Sequence, residues 1–79
     1  MPTFFFDVRD GTVELDNEGI QLENAGVAIA MAHYFARELA LDGIRAGRSL
    51  EGQVVLVRDE HAELACIPLN FETGATATT

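Results

Sequence analysis

The chain has 79 residues, enough for one domain that buries only about 60 to 65% of the surface its unfolded form exposes. Its 13 acidic residues, against five arginines and no lysine, give a formal net charge of −8, which disfavours binding to DNA, RNA or an anionic membrane, since such binding needs clustered positive charge. Cys66 has no second cysteine for a disulfide, and we expect neither a leader peptide nor a membrane-spanning run, so the composition predicts a cytoplasmic protein.

The first quarter of the chain predicts a strand, a tight turn and a short return strand. Residues 3–8 are rich in phenylalanine and other strand formers, and the dipeptide Asp10–Gly11 is typical of a hairpin turn. Residues 13–15 alternate apolar and polar side chains, which indicates a short return strand. A second turn at residues 16–19 then leads towards the helix.

One long helix is expected from residue 25 to residue 46. This stretch is rich in alanine and contains no proline, and Asn24 is a suitable N-cap because its side chain can accept a hydrogen bond from a free amide of the first turn. Gly47 follows directly, where a helix often ends on a glycine in the left-handed conformation.

The remainder predicts a second hairpin. Residues 54–57 are mostly β-branched, Asp59–Glu60 supplies a turn, and residues 64–69 can return antiparallel to the first strand. Pro68 has no amide hydrogen to donate, so the last strand should end there or lie at a sheet edge.

These elements predict an α+β fold in the order ββαββ, with two hairpins forming a small antiparallel sheet and one long helix packed on one of its faces. Residues 1–71 would form a single domain. Residues 72–79, mostly Thr and Ala without periodicity, would form a disordered tail.

Apolar side chains on both faces of the predicted helix and sheet favour self-association. A helical projection places one apolar stripe, which includes Phe35, against the sheet and leaves Val27, Met31 and Tyr34 on the opposite side. Strand alternation makes both sheet faces apolar, but one helix covers only one face. The predicted interface consists of Phe5, Val27, Met31, Tyr34, Val55 and Val57. Alternatively, the loop 17–22 covers the three helix residues, or they are exposed singly, as surface hydrophobic residues often are.

We expect no catalytic, cofactor or metal site. The reactive side chains His33, His61 and Cys66 fall in separate elements, which is a poor arrangement for nucleophilic catalysis or zinc binding. The early carboxylates do not have the spacing of a calcium loop, and turn hydrogen bonds explain them better; these are Asp7, Asp10, Asp16 and Glu18.

The acidic and glycine residues of the two turns resemble those of a family of short bacterial proteins. The residues that carry the resemblance are Phe4–Asp7, Arg9, Asp10, Gly11, Asp16, Glu18, Gly19 and Val57–Glu60. It covers roughly Thr3 to Leu69. The family is itself a domain of unknown function, so the resemblance implies the ββαββ layout and no activity. This chain departs from the family pattern at the outer side of the helix, where Val27, Met31 and Tyr34 replace an expected set of Arg and Glu residues.

Three functions are compatible with these features. The first is an interaction module, a homodimer that buries its spare apolar surface and presents an acidic rim to an unidentified protein partner. The second is an acidic regulator of a basic partner, in the style of antitoxins and nucleic-acid mimics, which requires carboxylates clustered on one face. The third is a small enzyme or ligand carrier, which requires a concave pocket containing His33, Cys66 or Tyr34.

Overall fold

The computed structural model describes residues 1–69, which form an antiparallel sheet with one helix against one of its faces. The elements are β1 (Thr3–Arg9), β2 (Val13–Glu14), β3 (Ile20–Gln21), α1 (Ala25–Arg45), β4 (Val54–Arg58) and β5 (Glu63–Pro68). The sheet has the order β2-β1-β4-β5, and β3 pairs with the opposite end of β1 from β2, on the same edge. The predicted fold class and the two hairpins are confirmed. The two-residue strand β3 was not predicted, and the predicted tail at 72–79 lies outside the described residues.

Helix α1 has the caps that its sequence predicts. The Asn24 side-chain oxygen accepts a hydrogen bond from the Val27 amide at 3.0 Å, which satisfies a donor that has no partner within the first turn. At the other end Gly47 adopts a φ of 74°, and the Arg48 amide donates to the Gly43 carbonyl at 2.8 Å. A left-handed glycine followed by this bond ends a helix by satisfying its last carbonyls.

Alanines make the contact between helix and sheet. Residues 28, 32, 36 and 40 are all alanine, recur every fourth position on one side of α1, and are buried. They pack against β-branched and aromatic side chains of the sheet, which include Phe4 of β1, Val55 and Val57 of β4, and Ile67 of β5. Because an alanine side chain is a single methyl group, the helix backbone can lie close to the sheet. The core is therefore thin, and its tightness depends on these small residues.

The strand register corrects part of the predicted interface. Phe6 lies opposite Val57 and Val8 opposite Val55, so both β4 valines share the face of the sheet that α1 covers. Val55 and Val57 have no exposed surface. Their assignment to an interface is wrong, because strand alternation shows which residues share a face but not which face the helix covers.

Within residues 1–69 no helix combines the length and apolar character that a membrane span requires.

Replacing Ala32 by leucine tests the close helix–sheet contact. Ala32→Leu adds three carbons where the core is already filled, and we expect it to lower the free energy of unfolding by about 1–3 kcal/mol. Ala30 lies on the exposed side of the same helix, so Ala30→Leu should change stability by less than about 0.5 kcal/mol. Urea denaturation of both variants provides the comparison, and equal midpoints would contradict the packing described here.

Candidate binding groove

A groove of about 610 Å³ lies between α1 and the chain segment from Glu14 to Ile20. We call this segment the strap; it connects β2 to β3 and forms one wall, while α1 forms the other. The groove is open to solvent, and its lining residues are Phe6, Val8, Glu14, Leu15, Asp16, Glu18, Gly19, Ile20, Met31, Tyr34, Phe35 and Glu38.

The inner surface of the groove is apolar. Phe6 of β1 contacts Phe35 of α1 edge to face, with ring centroids 6.5 Å apart. Next to this pair lie Met31 and Tyr34, which are 41% and 70% exposed, and Phe35 itself remains 39% exposed. Large apolar side chains open to solvent and gathered on one surface are typical of a binding site, whereas isolated ones are ordinary.

Every charged residue that lines the groove is acidic. Glu14 and Glu18 lie on the strap, Glu38 lies on α1, and Asp16 lies at the base of the strap. Within residues 1–69 the only ion pair joins Asp7 to Arg58, so the three glutamates have no basic partner. The groove therefore combines an apolar surface with an uncompensated negative rim.

Asp16 attaches the strap to the sheet. Strands β2 and β3 pair with the two ends of β1 and leave the Phe6 amide between them without a strand carbonyl. One oxygen of the Asp16 carboxylate accepts a hydrogen bond from that amide at 3.1 Å, and the other accepts from the amides of Glu18 and Gly19, each at 3.1 Å. A side chain thus supplies the acceptor that the interrupted sheet lacks.

An ion pair between buried Asp7 and half-buried Arg58 holds the strap from the other face of the sheet. Asp7 is 3% exposed on the face of the sheet away from α1, and its carboxylate accepts hydrogen bonds from Arg58 Nε at 2.7 Å and from the Asp16 amide at 2.8 Å. Arg58 also donates to the Asp16 carbonyl at 3.1 Å, and its guanidinium lies 4.4 Å from the centre of the Phe5 ring. We call Asp7, Asp16 and Arg58 the clamp. It fixes the position of the strap relative to β1.

These contacts account for two of the carboxylates considered as metal ligands. Asp16 accepts hydrogen bonds from the amides two and three positions further on, as predicted for a turn residue. Asp7 instead lies within β1, where its carboxylate pairs with Arg58 and accepts from the Asp16 amide. In residues 1–69 no three His, Cys, Asp or Glu side chains are grouped so that they could hold a metal ion.

The pKa of Asp16 is lowered by its hydrogen bonds. Burial is the largest single influence and acts to raise the pKa, because it disfavours the charged form. The amides of Phe6, Gly19 and Glu18, followed by the charge of Arg58, act in the other direction and together outweigh it, so the pKa lies below its ordinary value of 3.8. Asp16 is therefore ionised at neutral pH. Hydrogen bonding to the Asp7 carboxylate favours the charged form of Arg58 and raises its pKa.

The structure brings together only part of the predicted site. Met31 and Tyr34 line the groove, and Val27 is 37% exposed on the same helix. Phe5 lies on the opposite face of the sheet, beneath Arg58. The reactive residues His33, His61 and Cys66 are not among the lining residues.

Sequence reasoning missed the strap and Phe35 as parts of a site. The helical projection assigned Phe35 to the core stripe, but it lies at the border of that stripe, four positions after Met31, and this spacing was an available signal. Leu15 and Ile20, 60% and 41% exposed, flank the second turn. The alternative that the loop 17–22 covers the outer side of the helix did place part of this segment beside α1. Met31 and Tyr34 nevertheless stay 41% and 70% exposed, so the segment forms a wall opposite them and does not cover them.

Replacing Gly19 by alanine tests the close contact between strap and β1. Gly19 has a φ of 71°, and a Cβ there would lie 2.7 Å from both Phe5 Cε2 and Thr3 Cγ2. Gly47 has nearly the same φ, 74°, with no atom within 4 Å of such a Cβ. Both alanine variants carry the left-handed cost of about 1–2 kcal/mol, and we expect Gly19→Ala to lose about 1–3 kcal/mol more through the collision. Chemical denaturation measures the free energy of unfolding of both variants. Equal losses would show that the strap moves to accept the added Cβ at no measurable cost.

The lowered pKa of Asp16 predicts how the strap responds to acid. Because the folded pKa lies below the unfolded value of 3.8, the carboxylate's contribution to stability is complete above that value and is lost as the pH falls through the folded pKa. In an NMR titration, the amide signals of Phe6, Glu18 and Gly19 should move together with a midpoint below pH 3.8. Asp16→Asn should remove this transition. A midpoint above the ordinary value would contradict the described hydrogen bonds.

Comparison with known proteins gives the chain a family but no activity. The family described as Domain of unknown function (DUF6894) matches residues 3–70. Searches of curated proteins and of solved structures gave no significant match. The match confirms the resemblance to a family of unknown function, and since it spans nearly the whole chain, this protein belongs to the DUF6894 family.

Proposed function

We propose that this chain is a non-catalytic protein-interaction module and that it binds its partner through the groove between α1 and the strap. The observation that carries this proposal is the exposure of Met31, Tyr34 and Phe35 beside an open, apolar concave surface. Methionine and aromatic residues are enriched at the centres of protein interfaces, because they bury much area and adapt or anchor well. On this small protein, the groove is the surface with that composition among the described residues.

The way in which the strap is held supports a preformed binding surface. Asp16 receives three backbone hydrogen bonds, and the Asp7–Arg58 pair fixes it from the other face of the sheet. A wall that is already ordered loses little conformational entropy when a partner binds. The clamp thus serves binding by holding one wall of the groove in place.

The alternatives are less well supported by the same surface. A nucleic-acid mimic needs its carboxylates on one face, but Glu51 precedes β4, Asp59 and Glu60 lie in the β4–β5 turn, and Glu63 is on β5. A ligand carrier would fit the volume of the groove, which is in the usual range for small-molecule sites. Such a carrier normally buries most of its ligand, whereas this groove is open to solvent and the three glutamates that line it are exposed. The homodimer stays a prediction, and the next experiment tests it.

Introducing a charge into the groove tests the proposed function. Met31→Glu places a carboxylate among the apolar lining residues, while His33→Glu places one on an exposed part of α1 that does not line the groove. Both side chains are exposed, so both variants should unfold at nearly the wild-type temperature. Each protein is immobilised and exposed to an extract of the producing cells, and the proteins it retains are quantified by mass spectrometry. We expect the wild type and His33→Glu to retain proteins that Met31→Glu does not retain.

The wild type, Met31→Glu and His33→Glu should also be compared by sedimentation at micromolar concentrations. A dimer that Met31→Glu dissociates and His33→Glu does not would identify a second copy of the chain as the partner in the groove. If the two variants match the wild type in both retained proteins and mass, binding through the groove is refuted.

A further inference from the structure

The chemistry of the groove also specifies the kind of partner. We infer that the groove receives a basic amphipathic segment of another protein, whose apolar side chains pack on Phe6, Met31 and Phe35 while its Lys or Arg side chains pair with Glu14, Glu18 and Glu38. This inference rests on the proposed function and extends it by naming the chemistry of the occupant.

The three glutamates are free to pair with a partner's charges. Their carboxylates make neither an ion pair nor a side-chain hydrogen bond within residues 1–69, in contrast to Asp16, which is fully engaged in the clamp. They come from both walls of the groove, with Glu14 and Glu18 on the strap and Glu38 on α1. A ligand lying between the walls would therefore meet negative charge on both sides.

No arginine of this chain lies among the groove residues beside these glutamates. All five basic residues of the sequence are arginines, and none of them lines the groove. Arg58 is held by Asp7 on the opposite face of the sheet. No basic side chain in the lining therefore offsets its carboxylates, and the net charge of −8 adds to their negative field.

The lining carboxylates distinguish a basic partner from a second copy of this chain. Two copies joined groove to groove around a two-fold axis would bring the same four lining carboxylates of each copy together. Like charges facing each other across an interface oppose association, whereas a basic segment gains from every pairing and is steered towards the groove. Charge complementarity therefore favours a basic partner over self-association at this surface.

The partner must also be apolar on one side. A purely basic chain would leave Met31, Tyr34 and Phe35 exposed, while an amphipathic helix lays an apolar stripe into a groove and keeps its charges at the rim. Of the common modes of peptide recognition, insertion of a helix into a groove fits this combination.

Three synthetic peptides with the full-length protein provide the test. The first has leucines at helical spacing and lysines elsewhere, the second has glutamate in place of every lysine, and the third keeps the lysines but has serine in place of every leucine. Fluorescence anisotropy gives the dissociation constants at two salt concentrations, and NMR shift changes locate the bound peptide. We expect only the leucine–lysine peptide to bind with shifts at Met31, Leu15 and Ile20, and to bind less tightly at high salt.

Two matched triple variants separate the groove from net charge. Glu14→Gln, Glu18→Gln and Glu38→Gln together should weaken binding of the leucine–lysine peptide about tenfold, the effect of losing three modest ion pairs. Glu51→Gln, Glu60→Gln and Glu63→Gln remove the same charge at exposed positions outside the groove, and should change binding less than about twofold.

The outcomes distinguish this inference from the proposed function. Equal weakening by the two triple variants, or equally tight binding of the leucine–glutamate peptide, would overturn the basic partner. If that binding is still abolished by Met31→Glu, the groove remains a protein-binding site of different specificity. If no peptide binds with shifts in the groove, the inference is overturned, while the proposed function is decided separately by whether Met31→Glu alone loses retained proteins or mass.

Discussion

The hydrogen-bonded ion pair between Asp7 and Arg58 joins residues 51 positions apart, and the shape of the groove depends on it. A buried carboxylate is tolerated only when donors replace the water it has lost. Asp7 has such donors in the Arg58 guanidinium and the Asp16 amide, so the first strand, the strap and the fourth strand are fixed by one group. Without Arg58 the buried charge would be poorly compensated, and the wall of the groove would lose its support from behind.

The alanine contact between helix and sheet explains where the large apolar residues lie. Small residues face the sheet at every fourth position, so Met31, Tyr34 and Phe35 are directed to the side of the helix rather than into the core. At that side, the strap lies opposite them and makes a groove instead of a flat apolar patch. The groove is thus a consequence of the thin core together with the interrupted edge of the sheet.

Local signals in the sequence predicted the architecture well. Asn24, the alanine run and Gly47 determine the helix through short-range hydrogen bonding and steric effects, and the two hairpins follow from turn residues between strand formers. Such features act within a few residues, so they can be recognised without tertiary structure.

The candidate site depended on long-range geometry and was predicted only in part. Met31 and Tyr34 were recognised because helical spacing places them away from the core stripe, whereas Val55 and Val57 were assigned to the wrong surface because the sequence does not indicate which sheet face the helix covers. The role of Asp16 depends on contacts with Phe6 and Asp7, ten and nine positions away. No local pattern encodes such a contact.

The short strands on either side of Asp16 also affect how this sheet meets other chains. An open strand edge with free amides invites pairing with a strand of another molecule, including in aggregation. Here the outer edge of β1 is covered by two short strands, with the Asp16 carboxylate bound to the Phe6 amide between them. The other edge strand, β5, ends at Pro68, which has no amide hydrogen to offer. Along the β1 edge the sheet is therefore poorly suited to accept an added strand, and recognition on that side has to rely on side chains, whereas on β5 only the end at Pro68 is closed in this way.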